Sequence, residues 1–162
     1  MLKILRPFLA YRTGTLLNVS SMANELKMTR ETTEKYLSIL ERLFLVRRLS
    51  AWRRKQSKRL VKTPKVHVID SGLATTLGGL KTDDWNNHKS NFGPVLESFV
   101  VQQLICQASW IGSDFKFSHY RDKDQIEVDL VIERGQQLWG VEVKKAASIN
   151  PKDSAGLARL AA

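Results

Sequence analysis

Cysteine is nearly absent: Cys106 is the only one in the 162-residue chain. No internal disulfide can form, so the disulfide-stapled secreted classes are excluded and a reducing, cytoplasmic compartment is expected. Cys106 lies in an apolar helical pattern, SFVVQQLICQA, and is expected in the core. No apolar run reaches about 18 residues, so no membrane span is expected, and the N-terminus lacks a secretory signal pattern. A phosphate-binding loop is missing as well. Gly78-Gly79-Leu80-Lys81-Thr82 has neither the GxxxxGK[ST] spacing nor a preceding strand. Acid, too, is scarce at one end. Residues 1–65 hold 16 Lys and Arg against 4 Glu, a net +12, whereas residues 66–162 hold 10 against 12. From Arg47 to Lys65 there are nine basic residues and no acid. A basic N-terminal part joined to a mildly acidic one points to a polyanionic partner, most often nucleic acid.

What is present is ordinary for a globular protein, with 43% hydrophobic and 26% charged residues. Met1 to Tyr11 is apolar at helical spacing, interrupted by Pro7. Asn18 to Ser21 supplies helix-start residues, and Thr29 is placed to cap a second helix running to Leu43, with Glu31 in its first turn. Thr33, Tyr36, Leu37, Leu40, Leu43 and Phe44 recur at three- and four-residue intervals and predict one buried stripe. Two short helices joined by a tight turn read as a helix-turn-helix. The apolar-flanked basic stretch that follows, Leu45 to Leu60, predicts a hairpin, the wing of a winged helix. The nucleic-acid-contact candidates are Arg30 and Lys35 on the helix, with Arg47, Arg48, Arg53, Arg54, Lys55, Lys58 and Arg59 on the hairpin. Glu31, Glu34 and Glu41 on the same helix argue against tight base readout. Val66 to Asp70 predicts a buried strand with His67 as a core or edge residue. The boundaries expected are 1–77, a linker loop over 78–92, and a second domain over 93–162.

In that second domain, Val95 to Ala108 predicts a helix with Phe99, Val100, Leu104 and Ile105 on its apolar side, and Asn150-Pro151 starts another. Between them, FKFSHYRDKDQIEVDLVIERGQQLWGVEVKKA predicts strands. If Arg134 to Gln137 form the hairpin loop, Glu133 faces Leu138. That register sets Asp129 opposite Glu142 and Glu127 opposite Lys144. Two facing carboxylates need a positive charge between them, and a divalent metal with a lysine alongside meets that need. An ion-paired remnant, with Lys144 held by Glu127 or Glu142, is the competing reading.

Leu60 to Leu73 (LVKTPKVHVIDSGL) resembles the signature of a family appended to bacterial and archaeal AAA+ ATPases. The helix-turn-helix before it, and Tyr120-Arg121-Asp122 with Glu127-Val128-Asp129-Leu130 after it, resemble the same family. The resemblance implies an α+β chain: a winged helix-turn-helix followed by a restriction-endonuclease-like PD-(D/E)xK αβββα core. Val128 stands where that motif has proline. The core's last strand has no counterpart after Ala162, so the core is expected to be incomplete. By this resemblance the catalytic set is Glu97, Asp129, Glu142 and Lys144. Asp129, Glu142 and Glu97, with the Val143 carbonyl as a possible further ligand, would hold Mg2+ or Mn2+, and Lys144 would orient a water. The function expected is DNA-associated, with metal-dependent phosphodiester hydrolysis. The alternatives are a non-catalytic regulatory module bound to an AAA+ ATPase core or to a second copy, and a winged-helix regulator.

Overall fold

The computed structural model describes residues 10–52, 61–86 and 92–161. It divides into two compact units, Met1–Arg48 with Lys65–Phe99, and Leu49–Pro64 with Val100–Ala162. The architecture is mixed α/β with two three-stranded sheets.

In the first unit, β1 (Thr15–Leu16) leads to α1 (Val19–Glu25) and α2 (Arg30–Arg42). The expected caps form: Asn18 Oδ1 accepts the Ser21 amide at 2.9 Å, and Thr29 Oγ1 accepts that of Thr32 at 3.1 Å. Strands β2 (Val46–Leu49) and β3 (Lys65–Val68) follow, and the sheet order is β1-β3-β2. Every residue of β3 is buried, Lys65 and His67 included, but the strand starts one residue earlier than expected and stops at Val68, leaving Ile69 half-buried and Asp70 exposed. Asp70 caps α3 (Ser71–Leu77) through the Leu73 amide, 2.7 Å away. Met22, Leu37, Leu40, Val66 and Val95 form the centre of this unit's core. The residues between Trp52 and Val61, which include the second half of the expected wing, lie outside the described residues.

The buried stripe of α2 stops earlier than its periodicity predicts. Thr33, Leu37 and Leu40 are inside, but Leu43 and Phe44 are exposed. The helix ends at Arg42, and Phe44 takes a left-handed φ of 56°. The Leu45 amide then reaches back to Leu40 O at 3.0 Å, a closing turn that normally carries glycine. That turn swings Phe44 off the helical stripe. Phe44→Gly should therefore raise stability by about 1 kcal/mol, since an L side chain pays roughly that for left-handed backbone. A rise in the urea midpoint with an unchanged slope is the measurement.

Helix α4 (Phe92–Ile111) is longer than expected at both ends. Its inward stripe is Val95, Ser98, Val101, Gln102, Ile105 and Ala108, so Phe99 and Cys106 are exposed. Hydrogen bonding takes the polar Ser98 inside, which rotates the helix away from a purely apolar stripe. Ser98 Oγ lies 2.7 Å from Thr13 Oγ1 and 2.9 Å from His67 Nδ1, and the Val68 amide donates to Thr13 Oγ1 at 2.9 Å. His67 is a fully buried core residue, as expected.

The second unit is built on β4 (Lys116–Arg121), β5 (Glu127–Arg134) and β6 (Gln137–Val141), antiparallel in that order. Glu133 pairs with Leu138 as predicted. Arg134 and Gln137 also pair, so the loop is two residues rather than four, with Gly135 at φ 59°. Val101 and Ile105 pack with Leu49 and Leu130. The expected C-terminal helix starts as a 3-10 turn (Pro151–Ser154) and becomes α5 (Ala155–Ala161). Its Leu157 and Leu160 pack with Tyr120, Val128 and Val131.

Candidate functional site

Asp129 and Glu142 lie one step beyond the last β5–β6 pair, Leu130–Val141, and are close enough for their charges to interact. Asp129, in the middle of β5, is 3% exposed. Its Oδ2 accepts the Val143 amide at 2.9 Å, which fixes the carboxylate beside the segment that leaves β6. Glu142 and Lys144 lie on that segment, and the Glu142 side chain is 8% exposed. Lys144 Nζ donates to Glu142 Oε1 at 2.5 Å, whereas Glu142 Oε2 is buried and meets no hydrogen-bond partner. Burial raises the Glu142 pKa, and the charges of Asp129 and Glu127 add to the rise against the opposing pull of Lys144. For Lys144, burial disfavours the ammonium, but the Glu142 hydrogen bond and the charges of Glu142, Asp129 and Asp153 outweigh it and raise its pKa. The sequence pattern held no signal for the Asp153 carboxylate, which the 3-10 turn before α5 positions.

Glu127 is paired differently from the expected register. Its Oε2 accepts from Arg121 Nη1 at 2.8 Å, across the β4–β5 pair Arg121–Glu127, while Lys144 belongs to Glu142. Arg121 also donates to Gln125, and its Nε is buried without a partner. The YRD run signals this arginine, although the periodicity of β6 alone does not. Glu97 lies in the first unit, where its carboxylate accepts from Lys65 Nζ at 2.9 Å. Among the described residues, no group of three or more His, Cys, Asp or Glu is placed to hold a metal ion. Asp129 and Glu142 are a pair of carboxylates and fall short of such a group.

A clamp supports the β4–β5 end of this site. Arg159 of α5 donates to Asp122 Oδ2 at 2.5 Å and Asp124 Oδ2 at 2.6 Å. Asp122 Oδ1 accepts the amides of Asp124 and Ile126. Burial opposes ionisation of Asp122, but Arg159 and those amides prevail and lower its pKa. A carboxyl with a depressed folded-state pKa stabilises the fold above its unfolded pKa and loses that contribution as pH falls through the folded value. Asp122→Asn should therefore be less stable than the parent at neutral pH, and the gap should close on acidification. Urea titrations at stepped pH check this.

Of the nucleic-acid candidates, Arg30 and Lys35 are exposed on α2. Arg48 is half-buried and held by Glu34 and by Glu41, the latter at 2.5 Å, which takes its guanidinium out of the pool for phosphate. Arg47 is half-buried on β2. Arg53, Arg54, Lys55, Lys58 and Arg59 lie outside the described residues. Among the described residues, no helix is long and apolar enough to cross a membrane.

Comparison with known proteins adds two family matches. Residues 2–84, just over half of the chain, match a family described as domain of unknown function (DUF8612), and residues 92–162 match one described as domain of unknown function (DUF4143). Two curated relatives are the uncharacterized protein Rv2008c of Mycobacterium tuberculosis and the uncharacterized protein Mb2031c of Mycobacterium bovis. Each is 27% identical over 140 residues, covering 86% of this chain and 31% of the relative. The chain thus spans about a third of the length of the curated relatives it matches. No solved structure matches it.

Proposed function

The chain belongs through residues 2–84 to the DUF8612 family, and for its C-terminal unit we propose a metal-dependent phosphodiester hydrolase acting on DNA. The observation that carries this reading is the buried, unpartnered Glu142 Oε2 beside the Asp129 carboxylate. A buried anionic oxygen without a donor is costly, and a cation removes that cost. Two carboxylates suit Mg2+ or Mn2+, which keep several waters and take the rest of their ligands from substrate phosphate. Asp129 and Glu142 would hold the ion. When bound, such an ion polarises a phosphoryl oxygen and lowers the pKa of a bound water.

The chain's own residues supply the remainder. The Val143 amide keeps Asp129 in one orientation. Lys144, held protonated by its acidic neighbours, sets a positive charge where a phosphodiester gains negative charge in the transition state. Exposed basic residues of the N-terminal part, Arg30 among them, would add sequence-blind attraction to the backbone. In an assay of supercoiled plasmid with Mg2+ or Mn2+, the protein should nick DNA. Asp129→Asn and Lys144→Ala should each reduce the rate by about 100-fold or more. No nicking by the parent protein, or nicking that survives both substitutions, sinks the reading.

A second reading is favoured by a different observation. Ile39 on α2, and Leu43 and Phe44 in the turn that ends it, are all exposed. Side chains of that kind suit an interaction module better than a phosphate-contacting helix.

A further inference from the structure

We infer that the C-terminal end of α2 is a docking surface for an acidic amphipathic helix of another protein. Three features of the first unit converge on that partner. Phe44 is 78% exposed and Leu43 60%, with Ile39 one turn earlier on the same outer face. Phe44 is held outward by its left-handed backbone, φ 56°, at a position where glycine is the favoured residue. The third feature is the charge around these side chains, which defines the partner's chemistry.

Read as sequence, α2 is of mixed charge, with Glu31, Glu34 and Glu41 against Arg30, Lys35 and Arg42. The fold separates them. Arg48 of β2 holds Glu34 and Glu41 on its two terminal nitrogens and offsets one of their two charges. The outer face is left with Lys35 one turn before Ile39 and with Arg42 beside Leu43, while Glu31 is the helix's remaining exposed acid. An apolar anchor set flanked by positive charge complements a helix with leucine-like residues at three- and four-residue spacing and carboxylates beside them. Phosphate contacts would gain from Lys35 and Arg42 but nothing from Ile39, Leu43 and Phe44, so the peptide is the better fit. This surface is independent of the Asp129–Glu142 site, and neither inference falls with the other.

The test uses the full chain and a fluorescently labelled synthetic peptide of about 14 residues, leucine at every third or fourth position and glutamate between. Anisotropy should show saturable binding. Affinity should fall at least about 10-fold in Phe44→Gly, a substitution that relieves backbone strain and so keeps the fold. Arg42→Glu should weaken binding similarly, and the same peptide with lysine in place of glutamate should not bind. The inference is overturned by no saturation up to about 1 mM peptide, by equal affinity of parent and Phe44→Gly, or by equal binding of the lysine peptide. Two further outcomes also overturn it. One is a single- or double-stranded DNA oligonucleotide whose binding, rather than the peptide's, depends on Phe44. The other is light scattering that shows a dimer of the parent and a monomer of Phe44→Gly, which would make the occupant a second copy.

Discussion

Glu97→Ala is expected to lower the unfolding free energy by about 3 kcal/mol. Lys65 is 1% exposed, in a strand buried along its whole length, and its ammonium stands 2.9 Å from the Glu97 carboxylate. Desolvating an ammonium is expensive, and a carboxylate at hydrogen-bond distance offsets most of that expense. Removing the carboxylate leaves the expense and takes away that share of the compensation. Backbone is also involved. Gly14, at φ 72°, passes so close that an added Cβ would lie 3.2 Å from Glu97 Oε2 and 3.3 Å from Pro94 O. The cavity made by Glu97→Ala would therefore open against main chain that cannot collapse easily. Adding Lys65→Met to Glu97→Ala should recover most of the loss, because an apolar pair of similar volume is often no worse than a buried ion pair. Urea denaturation of the two single variants and the double variant closes the cycle. Metal affinity should be unchanged in Glu97→Ala, which separates a structural role from the ligand role that family resemblance implies.

Gly156→Ala should cost about as much, roughly 3 kcal/mol, by overpacking the second unit. An ideal Cβ on Gly156 would fall 2.0 Å from the Glu127 carbonyl oxygen and 2.9 Å from its carbon. Real carbon–oxygen contacts do not come so close, and the obstacle is strand backbone, so no rotamer change relieves it. Helix α5 would have to lift off β5. Gly140 meets the same helix from β6, where an added Cβ would lie 2.7 Å from Leu157 Cδ2, a side-chain atom that can move. Gly140→Ala should accordingly be the milder of the two. Lifting α5 also removes Arg159 from Asp122 and Asp124, so Gly156→Ala should weaken the acid-side stability step of the Asp122 carboxyl as well.

Local rules carried some features from sequence to structure, and long-range contacts decided the others. The caps at Asn18 and Thr29 form because each side chain needs only an amide three residues away. The β5–β6 register follows from period-2 alternation and a tight turn, and it runs as far as Leu130–Val141, next to Asp129 and Glu142. Glu97 shows where this ends. Its partner Lys65 is 32 residues away on a strand, and no periodicity of the helix encodes that meeting. Leu43 and Phe44 continue the α2 stripe in sequence, but the left-handed turn removes them from it. Cys106 and Phe99 face out because Ser98 and Gln102, polar in sequence, are buried. Arg48 reads as one more cation in a basic run, and only the fold reveals that it holds Glu34 and Glu41.

The proposed divalent-cation site is the Asp129–Glu142 pair. Titration of the full chain with Mn2+, followed by the loss of free-ion signal in electron paramagnetic resonance, tests it without relying on turnover. One saturable Mn2+ per chain is expected, with an affinity at least about 10-fold weaker in Asp129→Asn and unchanged in Glu97→Ala. Absence of saturable binding, or binding that Asp129→Asn leaves intact, would contradict it.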